Sequence, residues 1–407
     1  MITNTQQRVL LLSCGTGEGH NSAAYAIEHN LKTMGIFCET KDVGEFISKQ
    51  NVEKVNGRYA WLIRRAPNLF GFVFAMGMAY DRLHLPSPIY PKYAKCADPL
   101  YKYIKEKGFT RVICTHFFAM NAMTELRKKY GKGIPCYGVM TDYTIHPFVK
   151  ETDMDGYFVP DGKVAGQFMK LGFNAERIII SGIPVHPKFN VSVTKEEARH
   201  KLGLDEDKRT VLIMTGSEGC GKVKKLCKKL SKEFDQTCDF LVLCGKNEEL
   251  KHKLDEAFSC LTNFKAVGFT SDINLYLKAA DCVLTKSGGL SITEAAVANV
   301  PLINLNAVPG LESANFKTFT KHGLSLNGKT VKKAVKSIRL LIDNDALAAN
   351  MQSLQRRYVD ANATYIITQI TLEGKTNGYA DLAYADNCRI YAGEYNVLQD
   401  YTCTVNT

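Results

Sequence analysis

The sequence predicts an α/β protein with two parallel-sheet domains. Its 407 residues exceed the roughly 100 to 200 residues of one ordinary domain. Short apolar runs rich in β-branched residues alternate with helical patterns along the chain, which is typical of βαβ units. Each half also opens in the same way, with a strand, a glycine-rich loop and a helix.

The apolar runs place the predicted strands. In the first half they cover residues 9–14, 36–40, 112–115, 136–140, 156–159 and 177–181, and in the second half 210–214, 240–244, 264–267, 282–285 and 302–305. A segment with two prolines separates the halves. We therefore expect an N-terminal domain over residues 1–187, a C-terminal domain over 188–345, a helix over 346–372 that returns to the N-terminal domain, and a tail of unassigned role over 373–407.

Composition limits the classes of protein. Hydrophobic residues at 45% and charged residues at 23% are typical of globular domains. The thirteen cysteines form no C-x-x-C pair, which disfavours a zinc knuckle and favours a reducing cytoplasm. The longest uncharged stretch, residues 66–80, is shorter than the roughly 18 to 20 residues that span a bilayer. A net charge of +11 indicates an anionic partner, either lipid headgroups, nucleic acid or phosphorylated small molecules.

The first glycine loop follows the first predicted strand and reads Gly-Thr-Gly-Glu-Gly-His over residues 15–20. It does not match the dinucleotide fingerprint G-x-G-x-x-G, which disfavours a nicotinamide enzyme. Gly19 allows a ligand to approach the backbone, and we expect His20 to cap the following helix. A neutral imidazole there can accept a proton from an attacking hydroxyl. The alternative is a histidine that only caps or packs.

Two further glycine loops lie in the second half. Gly216 and Ser217 are candidate phosphate neighbours, but Val223 after Lys222 excludes a P-loop. Binding a nucleotide diphosphate as leaving group is therefore favoured over triphosphate hydrolysis.

The other loop joins a predicted strand to a helix over residues 285–296. Ser287, Gly288 and Gly289 suit an anion nest for a pyrophosphate, and Glu294 can accept two hydrogen bonds from a ribose diol. The alternative for Glu294 is a first-turn acid that balances the helix dipole.

Residues 66–80 suit a membrane interface. Phe70, Phe72 and Phe74 lie in this apolar segment, and Arg64 and Arg65 precede it. Aromatic side chains would enter the interface while arginines meet anionic headgroups. The alternative is a buried core helix.

Two charged motifs have simpler interpretations. The lysine run over residues 222–232 contains no aromatic residue, so we expect a solvated helix face and no nucleic-acid site. Asp153 and Asp155 form a D-x-D motif of the kind that binds manganese in other sugar transferases, but it lies outside the glycine loops. We interpret it as structural.

Six motifs in order carry a family resemblance. They are Gly-Glu-Gly-His at 17–20, Thr-Asp-Tyr at 141–143 with His146, Ser-Gly-Ile-Pro-Val at 181–185, Gly-Phe at 268–269, Lys-Ser-Gly-Gly at 286–289 with Glu-Ala at 294–295, and Pro-Gly at 309–310 with Asn315. Together they resemble the processive diacylglycerol glucosyltransferases and the monogalactosyldiacylglycerol synthases, relatives of the peptidoglycan N-acetylglucosaminyltransferase.

The resemblance implies a GT-B fold, in which two Rossmann-like domains face a cleft. It implies inverting transfer of a hexose from a UDP-hexose to diacylglycerol or a glycosyldiacylglycerol. Because helix termini and Lys286 can neutralise the leaving diphosphate, we expect no metal or other cofactor. We also expect a cytoplasmic protein bound peripherally to the inner face of the cell membrane. His20 would be the base, and Asp142 would lie on the acceptor side. The implied donor contacts are Ser217, Ser287, Gly288 and Gly289 for the pyrophosphate, Phe269 for the uracil and Glu294 for the ribose.

The sugar-reading segment departs from the family pattern. The family places a glutamine and then an acidic residue after Pro-Gly, whereas here Leu311 precedes Glu312, and Asn315 follows. Because a site built to hydrogen-bond a hydroxyl discriminates strongly, the change leaves glucose and galactose both open. Two alternatives remain: a nucleotide-sugar epimerase of the same fold, and a catalytically weak lipid-surface or nucleotide-sensing protein.

Overall fold

The computed structural model describes residues 7–15, 17–48, 50, 57, 67–82, 87–216, 223–234, 238–305 and 310–374. Its contacts divide the chain into two compact units. The first holds the residues up to Pro187 and the segment that begins at Asp360. The second holds the described residues from Lys188 to Val359, apart from Gly310 and Leu311, which group with the first.

The first unit contains a six-stranded parallel sheet. Its strands are β1 (Arg8–Ser13), β2 (Phe37–Asp42), β3 (Arg111–Cys114), β4 (Cys136–Val139), β5 (Gly156–Val159) and β6 (Ile178–Ile180), in the order β2-β1-β3-β4-β5-β6. Its helices are α1 (Glu18–Thr33), α2 (Pro67–Arg82), α3 (Tyr90–Ala94), α4 (Ala97–Lys107), α5 (Phe117–Tyr130) and α6 (Gly162–Lys170).

Both faces of this sheet are buried. Along β1, Leu10 and Leu12 pack into one hydrophobic cluster, and Val9 and Leu11 pack into the cluster on the opposite face. Alternate side chains of a strand point to opposite faces, so a continuous apolar run is what a sheet covered by helices on both sides requires. Each fully buried side chain of this size contributes about 1.5 to 3 kcal/mol.

The second unit repeats the architecture. Its strands are β7 (Arg209–Met214), β8 (Cys238–Leu243), β9 (Phe264–Val267), β10 (Cys282–Thr285), β11 (Leu302–Leu305) and β12 (Leu326–Gly328), in the order β12-β11-β10-β7-β8-β9. Its helices are α7 (Lys195–Leu202), α8 (Val223–Glu233), α9 (Glu248–Phe258), α10 (Ile273–Ala279), α11 (Gly289–Val297), α12 (Leu311–Lys321), α13 (Val331–Asp343) and α14 (Asp345–Tyr358). The predicted α/β class with two parallel sheets is confirmed.

The edge strand β12 was not predicted. It has only three residues and pairs with β11 through partners far away in sequence, such as Ile303 opposite Leu326. Gly328 allows this close approach, because a Cβ atom there would lie 2.8 Å from Ile303 and 2.9 Å from the Asn304 carbonyl oxygen.

The predicted single helix over residues 346–372 is wrong. The chain instead forms α14 and a separate helix α15 (Ala363–Glu373). The Asp360 side chain accepts a hydrogen bond from the Asn362 amide at 2.7 Å, a local turn that competes with helix continuation. Only α15 packs in the first unit, where Asn30 of α1 donates to Thr368 at 2.6 Å. Helix α14 packs in the second unit.

Each sheet has one point where the strand order reverses. In the first it lies between β1 and β3, and in the second between β7 and β10. In open α/β sheets, ligands bind beyond the carboxyl ends of the strands at such points. The loops after these four strands are therefore where each unit is expected to bind a ligand.

Candidate functional site

His20 lies in the first turn of α1 and not at its cap as predicted. The helix begins two residues earlier, at Glu18, because Gly17 serves as the N-cap. Gly17 has φ 122°, a backbone conformation that strongly favours glycine. The preceding loop is fixed by the Gly15 amide, which donates to the Asp42 carboxylate at 2.7 Å.

The ring of His20 is oriented by two oxygen atoms. Its Nδ1 atom lies 3.0 Å from the carbonyl oxygen of Thr115 and 2.8 Å from Oγ1 of Thr141. A carbonyl oxygen can only accept, so Nδ1 carries the proton in the neutral ring. The lone pair is then on Nε2, which is the tautomer that a general base needs.

A second histidine packs edge-on against His20. The ring centroids of His20 and His116 are 4.4 Å apart at an interplanar angle of 84°. His116 caps α5, and its Nδ1 atom accepts a hydrogen bond from the Phe118 amide at 3.0 Å. His146 stacks on Phe117 with centroids 4.6 Å apart. Three imidazoles thus gather at the carboxyl ends of the first sheet's strands.

Burial keeps the rings of His20 and His116 neutral. It lowers the pKa of His20 from 6.5 to about 4, partly opposed by the Thr115 carbonyl and reinforced by the charge that His146 would carry. Burial also lowers the pKa of His116 well below its usual range, with further lowering from the other two histidines. At neutral pH His20 is therefore an acceptor and not a cation.

One pocket of the first unit collects these groups, and Asp142 lines it with them. Sequence reasoning found His20 and Asp142 but missed Thr115, Thr141 and His116 as partners. His116 directly follows a predicted strand, and that position alone could have suggested it.

The second unit presents an anion-binding helix end. Helix α11 begins after Gly288, which forms no side-chain cap, so the first amide groups are available to a ligand. The hydroxyl of Ser287 is fully buried and finds no hydrogen-bond partner among the described residues. A buried polar atom without a partner is costly, and an anion at this helix end would relieve it.

Side chains of helix α12 support the loop that contains Ser287. Asn315 is fully buried, and its Nδ2 atom donates to the carbonyl oxygen of Ser287 at 3.0 Å. Glu312 pairs with Lys286, with 3.2 Å between Oε1 and Nζ. The Lys286 side chain lies against Gly216, where an added Cβ would sit 2.9 Å from Cε.

Two of the predicted donor contacts have unusual environments. Burial raises the pKa of Glu294 to about 7, and the charge of Lys188 opposes the shift. Phe269 exposes 68% of its surface, with Lys246 Nζ 5.9 Å from its ring centroid. An exposed ring after a strand end offers a flat face to a ligand. Ser217, the remaining predicted phosphate contact, lies outside the described residues.

Helix α2 presents an apolar stripe to solvent. Leu69, Phe72, Val73, Met76 and Tyr80 follow helical spacing, and each exposes between 36% and 62% of its surface. A fully buried core helix, the alternative interpretation, is therefore wrong for this face.

The other predicted membrane residues add less. Phe70 and Phe74 lie within α2. Arg64 and Arg65 lie outside the described residues. No helix in the described part of the chain has the length and apolarity to cross a bilayer.

The D-x-D motif is engaged in ion pairs. Arg127 contacts Asp155 through two hydrogen bonds of 2.6 and 2.8 Å. Asp153 pairs with Lys132 at 2.7 Å and with Arg177 at 3.0 Å. These contacts agree with the structural interpretation of the motif.

Two family models match consecutive parts of the chain. The model of monogalactosyldiacylglycerol (MGDG) synthase matches residues 20–185, and the family 28 glycosyltransferase C-terminal domain matches residues 210–365. The predicted resemblance to the diacylglycerol glucosyltransferases and MGDG synthases is therefore confirmed, and the chain is a glycosyltransferase. The first match begins at His20, and the second contains the α11 anion loop.

Curated relatives of this glycosyltransferase cover nearly its whole length. The processive diacylglycerol β-glucosyltransferase of Bacillus pumilus is 28% identical over 379 residues, which are 90% of this chain and 95% of that one. The enzyme of the same name from Bacillus subtilis is 28% identical over 388 residues, 91% and 97% of the two chains.

Solved structures support the fold alone. Acinetobacter baumannii MurG has 15% sequence identity and a TM-score of 0.58, covering 90% of this chain and 99% of its own. A UDP-GlcNAc 2-epimerase from Neisseria meningitidis has 14% identity and a TM-score of 0.58, covering 90% and 100%. These likenesses confirm the predicted GT-B class.

Proposed function

We propose that this glycosyltransferase moves a hexose from a UDP-hexose to the hydroxyl of diacylglycerol or a glycosyldiacylglycerol, with inversion at the anomeric carbon. The observation that carries the proposal is the Thr115 carbonyl at Nδ1 of His20, which leaves Nε2 as a proton acceptor. The acceptor class is supported by relatives named for diacylglycerol glucosyl transfer.

On the acceptor side, His20 acts as general base. Nε2 takes the hydroxyl proton while the acceptor oxygen bonds to the anomeric carbon. The bond from that carbon to the diphosphate oxygen breaks, and UDP leaves with the electron pair. Nδ1–H remains bonded to the Thr115 carbonyl oxygen, which stabilises the imidazolium that forms.

On the donor side, the second unit neutralises the leaving diphosphate. The free amides at the start of α11, the Ser287 hydroxyl and the Lys286 ammonium together supply donors and positive charge. We propose that these groups make a divalent metal unnecessary. Glu294 would bind the ribose diol, and Phe269 would lie against the uracil.

The residues at the start of α12 would contact the hydroxyl groups of the donor sugar. Leu311 stands at the position where the family has a glutamine, and the neighbouring Glu312 carboxylate lies at the loop through its contact with Lys286. Glucose and galactose differ in the orientation of one hydroxyl. The relatives are named for glucosyl transfer and the matching family model for galactosyl transfer, so both sugars stay candidates.

The exposed stripe of α2 supports peripheral attachment to the inner face of the cell membrane. When such a helix lies in the membrane interface, each methylene group that it buries contributes about 0.8 kcal/mol to the free energy of binding. Replacing Phe72 and Met76 by serine would then reduce flotation with vesicles, and unchanged flotation would contradict this attachment.

The deciding experiment incubates the protein with radiolabelled UDP-glucose or UDP-galactose and diacylglycerol vesicles. A labelled glycolipid with inverted configuration supports the proposal and identifies the sugar. A free epimerised nucleotide sugar would instead indicate an epimerase. Neither product, with UDP still bound, would indicate a nucleotide-sensing protein.

A further inference from the structure

The positive charge of this protein is concentrated on two helices of the second unit. Helix α8 carries five lysines and one glutamate, and α13 carries three lysines, one arginine and one aspartate. Nine cations against two acids give these helices a net charge of +7, whereas the whole chain has +11. More than half of the net charge therefore comes from 24 residues.

The two helices pack side by side. Their contact is fixed at one end by Arg339 of α13, whose guanidinium donates to the Glu233 carbonyl oxygen at 2.9 Å. The same guanidinium lies 5.0 Å from the ring centroid of Phe234. Residues that are 106 positions apart in sequence thus form one surface, which the sequence run alone did not indicate.

The lysines of α8 face away from the core. Leu226, Cys227 and Leu230 are buried on one side, and the exposed lysines follow helical spacing on the other: Lys224, Lys225, Lys228, Lys229 and Lys232. On α13 the exposed cations are Lys332, Lys336 and Arg339. We refer to these eight residues as the basic surface.

A neighbouring helix shows how a merely solvated face differs. On α9, Lys251 pairs with Asp255 and Lys253 pairs with Glu249, each four residues apart. Such pairs stabilise a helix, whereas like charges at the same spacing destabilise it. Helix α8 has three pairs of lysines four residues apart, 224/228, 225/229 and 228/232. Within this helix only Lys229 pairs with an acid, Glu233. The cost is explained if an anionic partner offsets the repulsion.

We propose that the basic surface binds the anionic headgroups of a membrane. This inference rests on the proposed function, because a diacylglycerol acceptor resides in a bilayer. Lysines near a negatively charged bilayer are attracted without requiring a shaped pocket, and each strengthens binding severalfold. The exposed positions of α8 include no aromatic residue on which a base could stack, which disfavours nucleic acid.

The test compares two variants with equal loss of charge. In the first, exposed lysines of the basic surface become glutamine: Lys225, Lys228, Lys232 and Lys332. In the control, exposed lysines of the first unit become glutamine: Lys102, Lys105, Lys107 and Lys170. Each variant loses four positive charges, so the two have the same net charge. Any difference in their binding therefore reports the position of the lysines and not the total charge.

Binding is measured by sedimentation with vesicles of phosphatidylcholine, alone or mixed in equal parts with phosphatidylglycerol. The first variant should lose at least about tenfold in partitioning to the mixed vesicles, and the control should lose much less. Added salt should weaken binding of the wild-type protein and remove the difference. Equal losses in the two variants, or no loss in the first, would overturn the proposal.

Two further measurements separate the possible failures. UDP binding and glycolipid synthesis from detergent-dispersed diacylglycerol should be the same in the wild-type protein and the first variant. Absence of synthesis in every protein would refute the proposed function without affecting the vesicle result. Tighter binding of single-stranded nucleic acid than of mixed vesicles at equal salt would assign the surface to the other polyanion and refute the membrane role.

Discussion

The Nδ1 atom of His20 lies 3.0 Å from the carbonyl oxygen of Thr115, across a separation of 95 residues in the chain. Helix α1 supplies the ring, and the end of β3 supplies the acceptor. This contact sets the tautomer of the ring and directs the basic nitrogen away from the backbone. The proposed chemistry of the first unit depends on it.

Replacing His20 by alanine should abolish transfer and leave donor binding intact. Loss of a general base typically slows a reaction by about 10² to 10⁴-fold. UDP affinity, measured by calorimetry, should stay unchanged because the proposed diphosphate contacts belong to the second unit. Retained turnover would refute the assignment of the base.

Thr141 should act on His20 as a positioning residue. Its Oγ1 atom lies 2.8 Å from Nδ1 and limits rotation of the ring. Thr141→Val keeps the side-chain shape and should lower kcat about tenfold with little change in KM. Thr141→Ser restores the hydroxyl and should recover most of the rate. Equal loss in both variants would indicate a packing role instead.

Mild acid should destabilise the first unit through His20. The pKa of its ring falls from 6.5 to about 4 on folding, so the unfolded chain binds the proton more tightly between these values. The contribution of the neutral His20 ring to the folding stability is fully present above pH 6.5 and is lost as the pH falls toward 4. At pH 5 the loss should be about 2 kcal/mol in urea unfolding. His20→Gln should remove this part of the pH dependence, and an unchanged profile would contradict the buried neutral ring.

UDP affinity should rise with pH through the titration of Glu294. Its pKa of about 7 leaves a large neutral fraction at physiological pH, and a ribose diol donates better to the ionised carboxylate. Glu294→Gln should weaken UDP binding and reduce its pH dependence. The dependence that is left should come from the titration of UDP itself. Identical profiles for the wild-type protein and the variant would exclude a ribose contact.

The same carboxyl group makes the folding stability fall as the pH rises, whereas it makes the UDP affinity rise. Its folded pKa lies above the ordinary 4.5, so the folded state holds the proton more tightly. Without ligand, its contribution is therefore greatest below pH 4.5 and is lost as the pH rises toward 7.

Asn315 should matter through the loop that it supports. Asn315→Ala leaves the buried Ser287 carbonyl without this donor, which should cost about 1 to 3 kcal/mol of stability. UDP affinity should fall at least about fivefold, because the α11 amides lose their fixed position. Lys317→Ala on the exposed side of α12 is the matched control and should change neither quantity. An affinity that is unchanged in Asn315→Ala would show that the loop does not need this support.

Local patterns predicted most of the fold because burial on both faces of a parallel sheet leaves a clear apolar run in each long strand. Eleven of the twelve strands in the described part of the chain were predicted this way. Strand β12 was missed because three residues carry too little pattern. The break at Asp360 was missed because a local turn overrides an otherwise helical run.

The sequence by itself determined the two parallel-sheet halves, the glycine loops at their strand ends and the resemblance to diacylglycerol glycosyltransferases, since each depends on residues close together in the chain. Only the tertiary structure decided which groups surround His20, because Thr115, Thr141 and His116 meet it only when parallel strands align their carboxyl ends. It also placed Asn315 beneath Ser287 and joined α8 to α13. Such contacts depend on the packing of distant segments, and no local pattern encodes them.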